Sequence, residues 1–341
     1  MGRKINDSYV LAKTDLSSLT GGETLKIEWD TVNNGNLHWK DVDESSLEYV
    51  VPIPHYQGST SGYCAGGTNP SAYDVIDKFA FASNTTATDW GDLSAVRHAV
   101  TGHSSSTDGF VSGNTNNGSG TFNVIDKYSF TSSSGGTDHG DLTRDREGPT
   151  GCSSSTHGFT ANGHGGASGY TSTIDKFAFS SNTTAASHGS LTFSTYQGGG
   201  ASSTDYGFSF GGCSGCVDTI NKYAFSSNTT ASDHGNLSQS GRGQTGTSSS
   251  DYVFSSGGLT WNTIDTFAFS SNTTAADHGD LSVARSFAAP ASSTTQGYTS
   301  GGYDGGSPVN TVDAFNFSSN TIASDHGDLT VARNSNSGQQ Y

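Results

Sequence analysis

Charge is scarce in this chain of 341 residues: only 13% are Asp, Glu, Lys or Arg, and 31 acidic against 15 basic residues leave a formal net charge of −16. A nucleic-acid backbone or an anionic lipid surface needs clustered Lys and Arg. Here the basic residues lie apart, so neither is expected as a partner. Cysteine is scarcer still, and four cannot staple a chain of this length. Cys64 and Cys152 sit singly, at repeat positions that elsewhere hold Val, Thr, His or Ala, as small filling residues would. Cys213 and Cys216 form the tetrapeptide CSGC, which invites a redox or metal reading, yet no second CxxC and no His pair at zinc spacing accompanies it. The sequence leaves open whether these two thiols pair or bind a metal. No apolar run approaches the ~18–20 residues of a membrane helix, and MGRKINDSYVLAK lacks the continuous apolar segment of a secretory signal. Membrane insertion is therefore not expected, and the chain is expected to fold in the cytoplasm where it is made. No stretch carries a helical period.

What the chain has instead is glycine, 46 residues of it, with Ser and Thr filling much of the remainder. Such a composition borders on low complexity. The 18 Phe, 14 Tyr and 4 Trp nevertheless fall at fixed positions, which supplies a core. Aligning Ile76, Ile125, Ile174, Ile220, Ile264 and Val312 reveals six copies spaced by 49, 49, 46, 44 and 48 residues. Each copy reads as four strand-sized pieces, the clearest being IDKFAF, where aromatics alternate with other residues at Phe79 and Phe81, Tyr128 and Phe130, Phe177 and Phe179, Tyr223 and Phe225, Phe267 and Phe269, Phe315 and Phe317. The following Ser-Asn-Thr-Thr is turn chemistry, with Asn expected to tolerate left-handed backbone and cap local amides. Four-stranded units at this period have the size of propeller blades. The fold class expected is all-β: a six-bladed propeller over residues 55–341, preceded by a small hairpin or extended attachment segment over 1–54.

Each copy also writes a Gly-x-Leu phrase preceded by Trp90, His139, His188, His234, His278 or His326. These are expected to wedge where one blade meets the next, with Leu93, Leu142, Leu191, Leu237, Leu281 and Leu329 beneath them. Metal binding by this phrase is not expected, because outer strands lie roughly 14 Å farther from the axis than inner ones at ~4.8 Å per strand, and ligands about 2 Å from a zinc must converge. The first copy carries Gly66-Gly67, Phe79 and Phe81, then Trp90-x-x-Leu93-x-x-x-Arg97-His98. Later copies carry Gly211-Gly212, Gly257-Gly258 and Gly301-Gly302, with Arg285 and Arg333. This pattern resembles the Kelch repeat, from which the five His in place of Trp depart.

Residues 1–54 do not follow the repeat. Tyr9, Leu11, Thr14, Asp15, Gly22, Leu25, Asn34, Gly35, Leu37 and Trp39 resemble a module at the base of bacteriophage tail fibres, written YxLPTTDG followed by GQVLxTDGxGxLxW. Ala12 replaces the Pro of that phrase, and ETLKIEW is longer than its counterpart. Physically the segment reads as two short strands around an Asn-Asn-Gly turn, with Leu25, Ile27 and Trp29 alternating on one side. Such a hairpin needs a partner, so Tyr9, Leu25, Trp29 and Trp39 are the candidate attachment residues. The alternative takes Gly21-Gly22, Leu25 and Trp39 as a degenerate seventh blade. The repeats themselves are similar to NATDFGDLT and RGxFxGG arrays of marine phage structural proteins. The C-terminal TVARNSNSGQQY is expected to add a first strand beside the blade that begins near Val50, tying the ends together.

These resemblances imply a virion protein of the tail or surface, with other tail proteins as partners, in a homo-oligomer such as a trimer. No residue constellation is unique to one copy in the way a catalytic site would be, and nothing singles out the converging Tyr, His and Cys of copper-dependent Kelch-type oxidases. No enzymatic activity, metal or cofactor is expected. The segments between the glycine doublet and the aromatic strand vary most, and five carry an aromatic: Tyr73, Phe122, Tyr170, Trp261 and Tyr303. With Asn, Asp and Ser around them, they suit recognition of a host-surface glycan or protein receptor. Alternatively they cap blade ends, and the protein is a structural adaptor or decoration.

Overall fold

The computed structural model describes residues 3–5, 8–10, 54–115 and 120–341. The chain divides into two compact units, Met1–Pro52 and Ile53–Tyr341. Of the first, the described part is an antiparallel pair, Arg3–Ile5 with Ser8–Val10, in which Tyr9 faces Lys4 across the ladder. The hairpin expected around Asn33-Asn34-Gly35, with Leu25, Trp29 and Trp39, lies outside the described residues.

The second unit is six four-stranded antiparallel sheets. Blade 2 shows the pattern: Thr101–Ser104, Asp108–Thr115, Thr121–Ser129 and Thr137–Asp141 run from the innermost strand outward. Blade 3 begins at Thr150, blade 4 at Gly199, blade 5 at Thr245 and blade 6 at Ala289. Blade 1 is assembled from both ends of the unit. Its inner strand is Ser337–Gln340, which pairs antiparallel with Ser61–Ala65, so that Gln339 faces Tyr63. Closure leaves no raw edge at the seam. The six inner strands pack side by side in a complete circle, which leaves no gap for the seventh blade considered from Gly21-Gly22 and Trp39.

The hub explains much of the glycine. Inner strands carry Gly338, Gly102, Gly151, Gly200, Gly246 and, in blade 6, Pro290 at their second position. A Cβ on Gly151 would sit 2.6 Å from the Gly102 carbonyl and one on Gly200 2.5 Å from that of Gly151. Blades therefore meet backbone to backbone at the axis. Just before these strands, Ala99, Gly148, Gln197, Gly243, Phe287 and Ser335 adopt φ of +54, +57, +60, +77, +58 and +57. In this conformation each donates its amide to its counterpart in the preceding blade: Gly148 to Ala99 at 2.8 Å, Gln197 to Gly148 at 2.6 Å, Gly243 to Gln197 at 2.7 Å, Phe287 to Gly243 at 2.9 Å, Ser335 to Phe287 at 2.8 Å and Ala99 to Ser335 at 2.9 Å. Six backbone hydrogen bonds thus close a circle around the axis. Four of the six residues are not glycine, so the circle holds them in a conformation that costs them about 1 kcal/mol or more each.

Outside the hub, four joints are locked by buried ion pairs. Arg97, Arg146, Arg285 and Arg333 reach from the loop after one blade's outer strand to Asp126, Asp175, Asp313 and Asp77 on the third strand of the next, every partner almost fully enclosed. At the joint between blades 3 and 4 both charges are absent: Thr195 stands in the Arg position and Asn221 in that of the Asp. The turn Asn residues depart from expectation. Asn84, Asn182, Asn228, Asn272 and Asn320 keep ordinary backbone angles and donate their side-chain amides to carbonyls of the preceding blade's outer strand, those of Asp325, Asp138, Ser187, Asp233 and Asp277. The local capping is done instead by Asp89, Asp138, Asp233, Asp277 and Asp325 on the amide two residues on.

Two measurements follow from this ring. Removing residues 337–341 opens the seam; at roughly 2–4 °C per kcal/mol for a domain of this size, the melting midpoint should fall by about ten degrees or more, and an unchanged midpoint would show the ring closes without them. Arg146→Met strands the buried Asp175 and should lower unfolding stability in urea by about 3–5 kcal/mol, against an expected loss under about 1 kcal/mol if the pair is dispensable.

Candidate ligand-binding face

The outer-strand phrase is a joint between blades. His139 donates its Nε2–H to the Ala178 carbonyl of blade 3 at 2.9 Å, and His188, His234, His278 and His326 do the same to Ala224, Ala268, Asn316 and Ala80, the last crossing the seam. Trp90 donates from Nε1 to Ser129 at 2.9 Å. Each imidazole meets the edge or tilted face of an aromatic on its own blade's second strand, Phe110 for His139 at 4.9 Å and Phe159 for His188 at 4.8 Å. Those rings in turn stack on the next blade: Phe110 on Phe179 at 4.6 Å, Phe159 on Phe225 at 4.5 Å, Phe254 on Phe317 at 4.8 Å and Tyr298 on Phe81 at 4.6 Å. The Leu residues beneath are all buried. The glycine after each His, such as Gly140 at φ +109, presses on the next blade's turn, here the Thr183 carbonyl. The ring N–H of each Trp or His in the phrase is thus used within the ring.

The two ends of the hub differ. At the end where the inner strands finish, a cavity of about 50 Å³ is covered by Tyr56. The chain arrives there: His55 donates to Ser153 at 2.8 Å, Gln57 to Ser248 at 3.1 Å and the Gly58 amide to Ser292 at 2.7 Å, while Gln340 donates to Tyr56 at 3.1 Å. One short segment so ties blades 1, 3, 5 and 6 across the axis. At the opposite end a cavity of about 90 Å³ opens among the circle residues, including Gln197, Phe287 and Ser335.

The variable loops surround this second end. Of their five aromatics, only Tyr170 is strongly exposed, at 45%. Tyr73 is half-buried and donates to Asn69 within its own loop. Phe122 is not in a loop at all; it lies in the strand Thr121–Ser129, opposite Asn114. Trp261 lies over Gly241 and Gly258, and Tyr303 bridges Ser286 and Pro308. Each belongs to a different blade, and among the described residues none of the five rings touches another.

The structure assembles a different group around Tyr170. Its ring lies 4.8 Å from His164 and 5.3 Å from Tyr196, whose hydroxyl accepts from Arg242 at 2.9 Å. Glu147 stands 3.6 Å from His164, and Arg144 caps the Ser168 carbonyl at 3.2 Å. The group spans the end of blade 3 and the loops on either side of blade 4. Its signal in the sequence is the residue after each Arg position: His98, Glu147, Tyr196, Arg242, Ser286 and Asn334, a column in which no two copies agree. Beside it, Cys213 and Cys216 are joined as a disulfide, and the Cys213 amide donates to Tyr196. Cys64 and Cys152 are buried within the sheets.

No family model matches this chain, and no curated protein does. Among solved structures the chain is similar to that of YjhT, a propeller, at 13% identity, covering 81% of this chain and 99% of that one with a TM-score of 0.61. At that identity the likeness shows the fold alone.

Acid should loosen the ring. His103 is enclosed between the Cys152 carbonyl, which accepts from Nδ1 at 3.0 Å, and the Ser112 hydroxyl at 2.9 Å from Nε2, and burial pushes its pKa down to about 4. Folded His103 stays neutral while the unfolded residue protonates near 6.5, so its contribution is complete above that pH and is lost as pH falls toward 4, by roughly 3 kcal/mol. Burial lowers His55, His188 and His234 as well, in the same direction. Melting midpoints should drop steadily from pH 6.5 to 4, and His103→Gln should flatten that limb; an identical limb in the variant would locate the acid sensitivity elsewhere.

Proposed function

We propose that this chain is a non-enzymatic, Kelch-like propeller of a phage virion, carried in or on the tail by its N-terminal segment, and that it binds a host-surface glycan. The observation that carries the reading is the exposed Tyr170 ring with the half-buried His164, Tyr196 and Arg242 around it, at the end of the hub remote from Tyr56. A flat Tyr face with adjacent fixed donors suits a pyranose, whose C–H face stacks while its hydroxyls are bridged. Support for the setting comes from the tail-fibre-like phrase from Tyr9 to Trp39. Among the described residues the chain enters the ring at Tyr56, at the other end of the hub. A net charge of −16 disfavours polyanionic receptors and leaves neutral sugars as the matching class.

A structural adaptor would use the same ring without this group, and one pair of substitutions separates the two. Particles carrying Tyr170→Ala with Tyr196→Ala should assemble normally, contain the protein by mass spectrometry, and lose at least tenfold in adsorption to host cells. Normal adsorption would favour the adaptor, and absence of the protein from purified particles would reject the virion assignment altogether.

A further inference from the structure

The six joints obey a charge rule that one of them breaks. Four pair Arg with Asp, and one replaces both by Thr195 and Asn221. Between blades 4 and 5 the Arg position is Gly241, yet the facing residue is still Asp265. The neighbouring Arg242 is turned to the Tyr196 hydroxyl. Asp265 is only 6% exposed, its Oδ2 accepts the Ser238 amide at 2.8 Å, the Ser238 hydroxyl also lies against the carboxylate, and Oδ1 makes no hydrogen bond within 3.5 Å. Gln244 is also 6% exposed, with neither side-chain amide atom bonded. Both face a cavity of about 10 Å³ that Trp261, Ser255 and Thr263 also line. The indole has moved into the path of the missing arginine stem: a Cβ on Gly241 would stand 2.5 Å from its ring.

We propose that this cavity is a binding site for one monovalent cation of about the size of water, potassium or ammonium. A buried carboxylate without a counter-charge costs several kcal/mol, and the space, enough for one water-sized occupant, lies where a guanidinium sits at four other joints. Asp265 Oδ1 makes no hydrogen bond, and Gln244, which lines the same cavity, has its Oε1 unbonded as well. The Trp261 ring supplies a π surface that favours a weakly hydrated monovalent ion. A divalent ion is a poor match, since a single carboxylate replaces little of its oxygen shell. Burial, with Asp277 on the adjoining strand, pushes the Asp265 carboxyl up from its ordinary value, the direction expected of a site awaiting a positive partner.

The test is thermal melting of the full chain at pH 7.5 in potassium, ammonium or tetramethylammonium chloride at matched ionic strength. Potassium or ammonium should raise the midpoint by about two to four degrees over the bulky cation, and Asp265→Asn, which copies the natural Asn221, should abolish the difference. Should that variant not fold, Gln244→Leu provides the same comparison. Equal midpoints in all three salts would overturn the proposal, as would a salt preference that survives both substitutions. So would a midpoint that rises from pH 7.5 to 5.5, relative to Asp265→Asn, equally in every salt, because the occupant would then be a proton.

Discussion

Everything in this fold leans on the close approach of six backbones at the axis. Glycine at the second position of five of the six inner strands lets neighbouring backbones approach closely there. Immediately before it, six residues in left-handed conformation pass one hydrogen bond each around the circle. The geometry is cooperative, because each bond fixes the donor and acceptor of the next. It also accounts for the wedge shape of the blades: mostly backbone at the centre, stacked aromatics and imidazoles farther out. The outer joints then need bulk, which the pairing of Phe110 with Phe179 and its equivalents supplies.

The ring was legible because the residues that build it repeat. Strand alternation in IDKFAF, the His or Trp before Gly-x-Leu, and the C-terminal strand for the first blade can all be read from spacing. The hub was not. Ala99, Gln197, Phe287 and Ser335 carry no signature of left-handed backbone, since tertiary hydrogen bonds rather than residue preference impose it. The turn Asn residues were misjudged for a related reason: a side chain that suits a local cap reaches instead to the preceding blade, a distance no local pattern encodes. Phe110, Phe159, Phe208, Phe254 and Tyr298 stack between blades, and Tyr63 packs tilted against Phe130, although their strands, rich in Ser and Gly, look unremarkable.

The candidate site follows the opposite logic. The candidate residues stand where copies disagree, and the structure gives Tyr170 companions other than the remaining loop aromatics. Tyr170 is joined by His164 and Tyr196 rather than by Tyr73, Trp261 or Tyr303, because each variable loop packs over its own blade and meets only the loop beside it. Trp261 covers a joint that has lost its arginine. The disagreement among copies thus falls in two places, the loop group around Tyr170 and the joint around Asp265, and only the structure separates them.

Native-state hydrogen exchange tests the central circle most directly. The amides of Ala99, Gly148, Gln197, Gly243, Phe287 and Ser335 should exchange together, at the rate set by global unfolding, although they lie in loops. Exchange of any of the six at the rate of an exposed loop would contradict a closed circle and, with it, the account of how the blades are held.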